Sequence, residues 1–276
     1  MKKIYFLFFL LCLNFSLVFS QQLTNKKTDQ EPIEIYADDG IEWHKNDKKY
    51  IAKGNAKAVS GSMILESDII EAHYDDSNSS DMDIYIVKAL GNVIINDKKL
   101  KIVGGKTAEY DLKKDYFKIN GKRIKLLSEF DELNANKKIE YWRSKDIAVA
   151  TGKAVAIKKN EFTIRAEKLV WYFYKNPKAT SEDEIDVKKI IGFQNVSIKT
   201  NNEVAFSDKA LYNRDKEICK LFGNVKLQKG DSFLLGEYAE IDLVRGISKL
   251  MPKGPGDSFL NEDRVKALID KGDGGK

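Results

Sequence analysis

The chain has 276 residues, enough to bury one large hydrophobic core or two smaller ones, and 42% of its residues are hydrophobic, as in a folded protein. Its formal net charge of +5 is mildly basic and suits an anionic partner without requiring one. The sequence has no concentrated basic stripe of the kind that nucleic-acid-binding proteins carry, so we expect no nucleic-acid partner. Of the two cysteines, Cys12 lies in the leader described next, which excludes an internal disulfide in a chain without that leader.

The first twenty residues have the layout of a secretory signal peptide. Two lysines precede an apolar run from residue 4 to residue 19, and a short cleavage-type pattern ends at Ser20. The alternative is a retained anchor helix, but the run is short for a membrane span and contains Asn14. We therefore predict that the protein is exported. The predicted organisation is a signal peptide over 1–20, a flexible lead-in over 21–30, a β-domain over 31–251 and a flexible tail over 252–276.

Alternating apolar and polar residues predict strands through most of the chain. The segment from Glu31 to Asp38 places Ile33 and Ile35 on one face and starts at a proline, where a missing N–H costs least. Short strands continue to Leu243, and residues 128–136 are the weakest of them, with a loop or helical turn as the alternative. In the tail, the spacing over Asn261–Asp270 allows a short amphipathic helix.

A repeated phrase organises the strands. Each copy has a Gly-Asn-like turn, a short alternating strand, a tight return and a second strand. Copies begin at Gly54, Gly91, Gly152, Gln194 and Gly223, with a fainter one at Gly121, roughly 30 to 40 residues apart. No convincing helical period precedes Asn261. The pattern predicts an all-β protein of sandwich, barrel or jellyroll type.

No constellation of residues indicates catalysis or metal binding. His44 and His73 are the only histidines, and neither has neighbours at zinc-ligand spacing. The acidic segment 75–83 lacks the glycine and the closing glutamate of a calcium-binding EF-hand loop. Cys219 lies in an apolar strand and is expected to be a buried thiol. The sequence therefore predicts a non-enzymatic protein without cofactor or metal, although a hydrolase with an unrecognised site stays an alternative.

The inward positions of the predicted strands are small or aliphatic, as in β-folds that hold an apolar ligand. Three segments resemble a known family: residues 32–38, 52–56 and 65–68. They are similar to the opening of the LptA family of periplasmic lipopolysaccharide-transport proteins, which is also called the organic-solvent-tolerance (OstA) N-terminal-like family. The repeats up to Asp242 look like further copies of the same unit. The resemblance implies an open, twisted β-jellyroll made of repeated short antiparallel strands.

The resemblance also implies a ligand and partners. Lipid A acyl chains of lipopolysaccharide would lie in the apolar interior, where Ile33 and Ile35 look like lipid contacts and Ala52, Met63 and Leu65 match inward-facing positions. The partners would be an inner-membrane LptC-like protein, an outer-membrane LptD-like protein and further copies of the chain, stacked head to tail through edge strands. The chain is long for one such subunit, and residues 115–150 and 175–187 look like insertions or extra strands.

The sequence leaves several functions open. The first is a carrier that bridges lipopolysaccharide across the periplasm, from the inner-membrane ABC transporter to the outer-membrane translocon. The second is an LptC-type partner of the same pathway, held in the inner membrane by a retained leader. The third is a structural or adhesive β-repeat protein with a solid core and no lipid ligand.

Overall fold

The computed structural model describes residues 32–77, 82–98, 100–128, 131–175, 185–255 and 264–270. The predicted signal peptide and lead-in lie outside these ranges, as do residues 78–81 of the acidic segment 75–83 and part of the tail. From Pro32 onward the chain forms one compact unit. None of the described helices is long and apolar enough to cross a membrane.

Within the described ranges, eighteen strands form a single antiparallel sheet, and one short 3-10 helix, Arg143–Lys145, joins two of them. The long strands pair with the strands that precede and follow them in the chain, which confirms the predicted all-β fold of open jellyroll type. The strands are β1 (Glu34–Tyr36), β2 (Gly40–His44), β3 (Lys49–Ser60), β4 (Met63–Asp75), β5 (Asp83–Asp97), β6 (Leu100–Asp111), β7 (Tyr116–Asn120), β8 (Ile124–Leu127), β9 (Asp131–Ala135), β10 (Lys138–Trp142), β11 (Ile147–Lys158), β12 (Phe162–Lys175), β13 (Ile185–Lys199), β14 (Val204–Asn213), β15 (Ile218–Lys229), β16 (Ser232–Asp242), β17 (Ile247–Met251) and β18 (Lys266–Leu268).

The Gly-Asn phrase marks a bend inside a strand, and the prediction of a turn between two strands was wrong. Gly54 and Asn55 have positive φ angles of 76° and 42°, and the register of β3 against β4 shifts between Lys53 and Ala56. Pairing continues on both sides because two left-handed residues redirect the chain without ending the ladder, as in a β-bulge. The same bend occurs in β5, β11, β13 and β15, at Gly91-Asn92, Gly152-Lys153, Gln194-Asn195 and Gly223-Asn224.

Side chains of neighbouring strands stabilise the bends. The Asn92 amide donates to the Asp68 carboxylate at 3.0 Å, and the Asn224 amide donates to Asp208 at 2.7 Å. Gly91 leaves room for this contact, since a Cβ there would lie 2.0 Å from Asp68 Oδ2. The bends therefore align from strand to strand and fold the whole sheet along one line.

Folding along this line gives two layers that face each other. Layer A contains β1, β8, β9 and β18, layer B contains β2, β7, β10 and β17, and each bent strand contributes one arm to each layer. The ring centroids of Phe162 in layer A and Tyr212 in layer B lie 5.0 Å apart. The hydrophobic cluster draws residues from both layers, so the core lies between them.

Residues 115–150 are extra strands of the sheet, one of the two alternatives that the sequence left open, because β7 to β10 pair in register with β6 and β11 and continue both layers. Most of the other such segment, 175–187, lies outside the described residues. One further prediction needs correction. In the tail, residues 266–268 form strand β18 on β16, where the sequence allowed a helix. The weakly predicted strand over 128–136 is present as β9.

Candidate functional site

The candidate site is the apolar interior between the layers. The side chains at its centre are fully buried: Ile119, Ile124, Leu133 and Ile139 have 0% exposure. These residues come from β7, β8, β9 and β10 and meet from both layers. An alkyl chain can reach this part of the interior only if the layers separate, because a close-packed core has no free volume for it.

All five residues predicted to contact lipid lie on this interior. Ala52, Met63 and Leu65 are buried in the hydrophobic cluster, and Ile33 and Ile35 are half-buried and pack against it. Ile35 lies opposite Ala58 of β3 and so points inward. The inward orientation fits the sequence analysis, while the contact with lipid stays a prediction.

The interior is exposed at the end of the sheet formed by β1 and β2. Ile41 and Trp43 lie opposite Ala52 and Tyr50 in the β2–β3 ladder, on the inward face, yet they are 48% and 47% exposed. Trp43 stacks on Tyr50 with 5.7 Å between ring centroids, which fixes its orientation. We call Ile33, Ile35, Ile41 and Trp43 the N-terminal opening. Sequence reasoning missed Ile41 and Trp43, although their alternation was visible.

The opposite end of the sheet has a similar opening. Ala267 of β18 lies opposite Leu234, and Ile269, two residues further on, is 76% exposed. Across from them, Leu250 of β17 lies opposite the buried Ala239. β1 and β2 pair only with β3, and β17 and β18 pair only with β16, so neither outer edge has a partner strand in the described part of the chain.

Along its side, away from the bends, the roll is closed by contacts between turns of the two layers. Arg143 Nε of layer B lies 3.5 Å from Asp97 Oδ2 of layer A and 3.7 Å from Asp115 Oδ1. The Tyr110 hydroxyl donates to Asp115 at 3.0 Å, and burial together with this carboxylate raises the pKa of Tyr110 to about 12. Tyr110 therefore stays protonated and keeps donating at neutral pH.

A narrow cavity interrupts this closed side near the β12–β16 end. Its volume of about 30 Å³ is far below the ~300–1,000 Å³ of typical ligand pockets. Both layers contribute to its apolar wall, which includes Phe162, Ile164, Ile198, Tyr212, Cys219 and Ile241. The two ends of the interior therefore expose more of its apolar face than this side does.

Cys219 lies in the wall of that cavity as a buried free thiol, which confirms its predicted burial. Burial raises its pKa to about 12, so almost no thiolate exists at pH 8. We expect a thiol reagent to modify the folded protein at least ~100-fold more slowly than the urea-unfolded protein, because the thiolate is the reacting form. Absorbance-monitored labelling with and without urea measures both rates. Equal rates would contradict the burial.

The two histidines have no metal-site geometry. His44 Nε2 lies 2.8 Å from Glu42 and its Nδ1 lies 3.8 Å from Asp47, while His73 Nε2 lies 3.4 Å from Glu71. Within the ranges that the structure describes, no group of three or more His, Cys, Asp or Glu side chains could hold a metal ion.

The described residues form an antiparallel sheet that is folded into two layers around an apolar interior, and among them neither edge has a partner strand. This architecture places the protein in the class of open β-jellyrolls. Residues 132–247 match the family model of the LptA/(LptD N-terminal domain) LPS transport protein, which confirms the resemblance to LptA-like transport proteins. This match runs from β9 to the start of β17 and covers less than half of the chain. The opening segments that first carried the resemblance, residues 32–68, lie outside it.

Among solved structures, the chain is similar to LptH, the LptA homologous periplasmic component of the conserved lipopolysaccharide transport device from Pseudomonas aeruginosa. The two are 16% identical in sequence, and the similarity covers 57% of this chain and 94% of that chain with a TM-score of 0.24. None of the curated proteins compared with the chain matches it.

Proposed function

We propose that the protein is a non-enzymatic carrier of lipopolysaccharide in the periplasm, between an inner-membrane ABC transporter and an outer-membrane translocon. Lipid A acyl chains would lie against the inward face. One observation carries the proposal: the apolar interior is exposed at both ends of the sheet, directly beside strand edges that no other described strand covers. A neighbour that adds strands at either edge would continue both the sheet and its apolar face.

Unpaired edges suit assembly by strand addition. Main-chain N–H and C=O groups at an open edge can pair with a strand of another protein, and a head-to-tail contact of this kind produces open filaments. The partners would be an LptC-like protein, an LptD-like protein and further copies of the chain. At ~4.8 Å per strand, the sheet spans on the order of 60 Å in the stacking direction.

The packed centre sets a condition on transport. A cargo that passes between the layers has to displace contacts among residues such as Ile119 and Ile139. Burial of alkyl chains gains ~0.8 kcal/mol per methylene, so several acyl chains can offset a large loss of side-chain packing. The openings, where the apolar face is already accessible, would bind acyl chains first.

Photo-crosslinking tests the proposal in cells that make lipopolysaccharide. A photoreactive amino acid at Ile33, Ile35 or Leu65 should form lipopolysaccharide adducts, with higher yield at the two isoleucines because Leu65 is only 3% exposed. Glu34 is exposed on the opposite face of the same strand and provides the control. If no inward site gives an adduct while the protein is folded and exported, the carrier proposal fails.

The packed centre also favours a second candidate, a structural β-repeat protein with no lipid ligand. Failure to bind any acyl-chain amphiphile would support that candidate. The LptC-type alternative differs in its leader, so mass spectrometry of the protein from cells separates the two pathway roles. A mature chain that begins near Gln21 supports the bridge, and retention of residues 1–20 in the membrane fraction supports the anchored partner.

A further inference from the structure

The outward face of layer B changes composition along one row of paired residues. From β4 to β10 the row alternates in charge, as Glu71, Lys88, Glu109, Lys118 and Glu140 lie opposite one another in turn. From β11 to β14 the same row continues with four aliphatic residues: Val149, Val170, Ile191 and Leu211. The charged part is an ordinary solvated face, and the aliphatic part is not.

These aliphatic residues do not belong to the core. Val149 and Val170 are 9% and 8% exposed, yet both lie outside the hydrophobic cluster between the layers. The residues that precede and follow them in the chain belong to that cluster, namely Ala148, Ala150, Leu169 and Trp171. Because successive residues of a strand point to opposite faces, Val149 and Val170 point away from the cluster. We call Val149, Val170, Ile191 and Leu211 the outer patch.

Aromatic rings and lysines border the outer patch. On one side Lys189 Nζ lies 3.9 Å from the Tyr172 ring centroid, and on the other side Lys168 and Lys209 lie 5.9 Å and 5.7 Å from the Phe193 ring. Among the described residues, none of these three lysines forms a salt bridge with a carboxylate, in contrast to Lys49, which lies 3.8 Å from Glu71. The border is therefore cationic and its charge is not neutralised by an adjacent acid.

We propose that the outer patch and its lysine border form a docking surface for a membrane that contains anionic lipids. Lysine is depleted at protein–protein interfaces, whereas lysine combined with tyrosine, tryptophan and apolar side chains is typical of surfaces that lie on a bilayer. Three paired rows across four or five strands cover on the order of 400 Å², from the spacings of strands and residues. On contact, the lysines extend to lipid phosphates and uncover the rings beneath them.

This proposal is independent of the carrier function, because the outer patch faces away from the interior. Vesicle flotation with the full mature chain tests it, using phosphatidylglycerol–phosphatidylcholine vesicles against phosphatidylcholine alone. We expect binding only to the anionic vesicles, with an affinity that falls as salt is added. The triple variant Lys168→Gln, Lys189→Gln, Lys209→Gln should bind roughly 100-fold more weakly.

The matched control removes three lysines from the charged part of the same outer face of layer B: Lys49→Gln, Lys88→Gln, Lys118→Gln. It loses the same charge and should stay within about threefold of wild type in vesicle affinity. If both triple variants lose the same vesicle affinity, net charge alone explains the binding and the proposal is overturned. Absence of binding, equal binding to phosphatidylcholine, or equally tight binding of soluble dextran sulfate would also overturn it. Circular dichroism verifies that each variant is folded.

Discussion

Replacing Ile139 by alanine should lower the free energy of unfolding by about 2–5 kcal/mol, the usual cost of truncating a fully buried aliphatic residue. Ile139 is 0% exposed on β10, where it lies opposite Ile119 of β7 and Ala150 of β11. Two strands thus flank it within layer B while layer A covers it. Urea titration followed by circular dichroism measures the loss.

Lys138→Ala provides the control for Ile139→Ala on the same strand. Lys138 points outward, where its Nζ lies 2.9 Å from Glu140, and such partly exposed ion pairs contribute less than ~1 kcal/mol. A loss below ~1 kcal/mol for Ile139→Ala would mean that the layers are not closely packed in the centre. In that case the interior would be an open groove, and cargo could pass without separating the layers.

The alternation of residues was sufficient to predict which side chains point inward. Ala52, Met63 and Leu65 occupy the inward positions that the period of two assigned to them, because neighbouring residues of a strand point to opposite faces. The bends were harder to predict. A Gly-Asn pair with positive φ is equally suited to a turn and to a bulge. A bulge is distinguished from a turn because the strand pairs with the same neighbouring strand before and after the Gly-Asn pair. That pairing depends on residues far away in the sequence.

The openings could not be recognised from sequence for a related reason. Ile41 and Trp43 alternate like any buried pair, and they are exposed only because no further strand covers the edge beyond β2. Strand β18 is a similar case. Its residues fit a helical spacing, but pairing with Phe233, Leu234 and Leu235 of β16 makes them extended. In both places the exposure or the conformation of the strand depends on whether another strand lies beside it. The local sequence does not specify that neighbour.

Aspartates at Ile33 and Ile35 should weaken binding of lipopolysaccharide, or of a fluorescent fatty-acyl amphiphile, by roughly 100-fold or more. Each isoleucine gains up to ~1.5–3 kcal/mol when fully buried, and a bound acyl chain would complete the burial that the N-terminal opening leaves unfinished. Two carboxylates facing the acyl chain add a desolvation cost. Because both residues are only half-buried without ligand, the variant should still fold.

The matched control places two aspartates on the outward face of the same ladder, at Tyr36 and Val59. Tyr36 lies opposite Lys57, and Val59 lies opposite Glu34, so neither substitution alters the inward face. Fluorescence titration should give wild-type affinity for this control and a large loss for the inward pair. If the inward pair binds like wild type, the N-terminal opening does not bind acyl chains. A large loss at Ile33 and Ile35 combined with a full 2–5 kcal/mol cost for Ile139→Ala would mean that cargo binds at the ends of a closed roll, and that transport requires its layers to part.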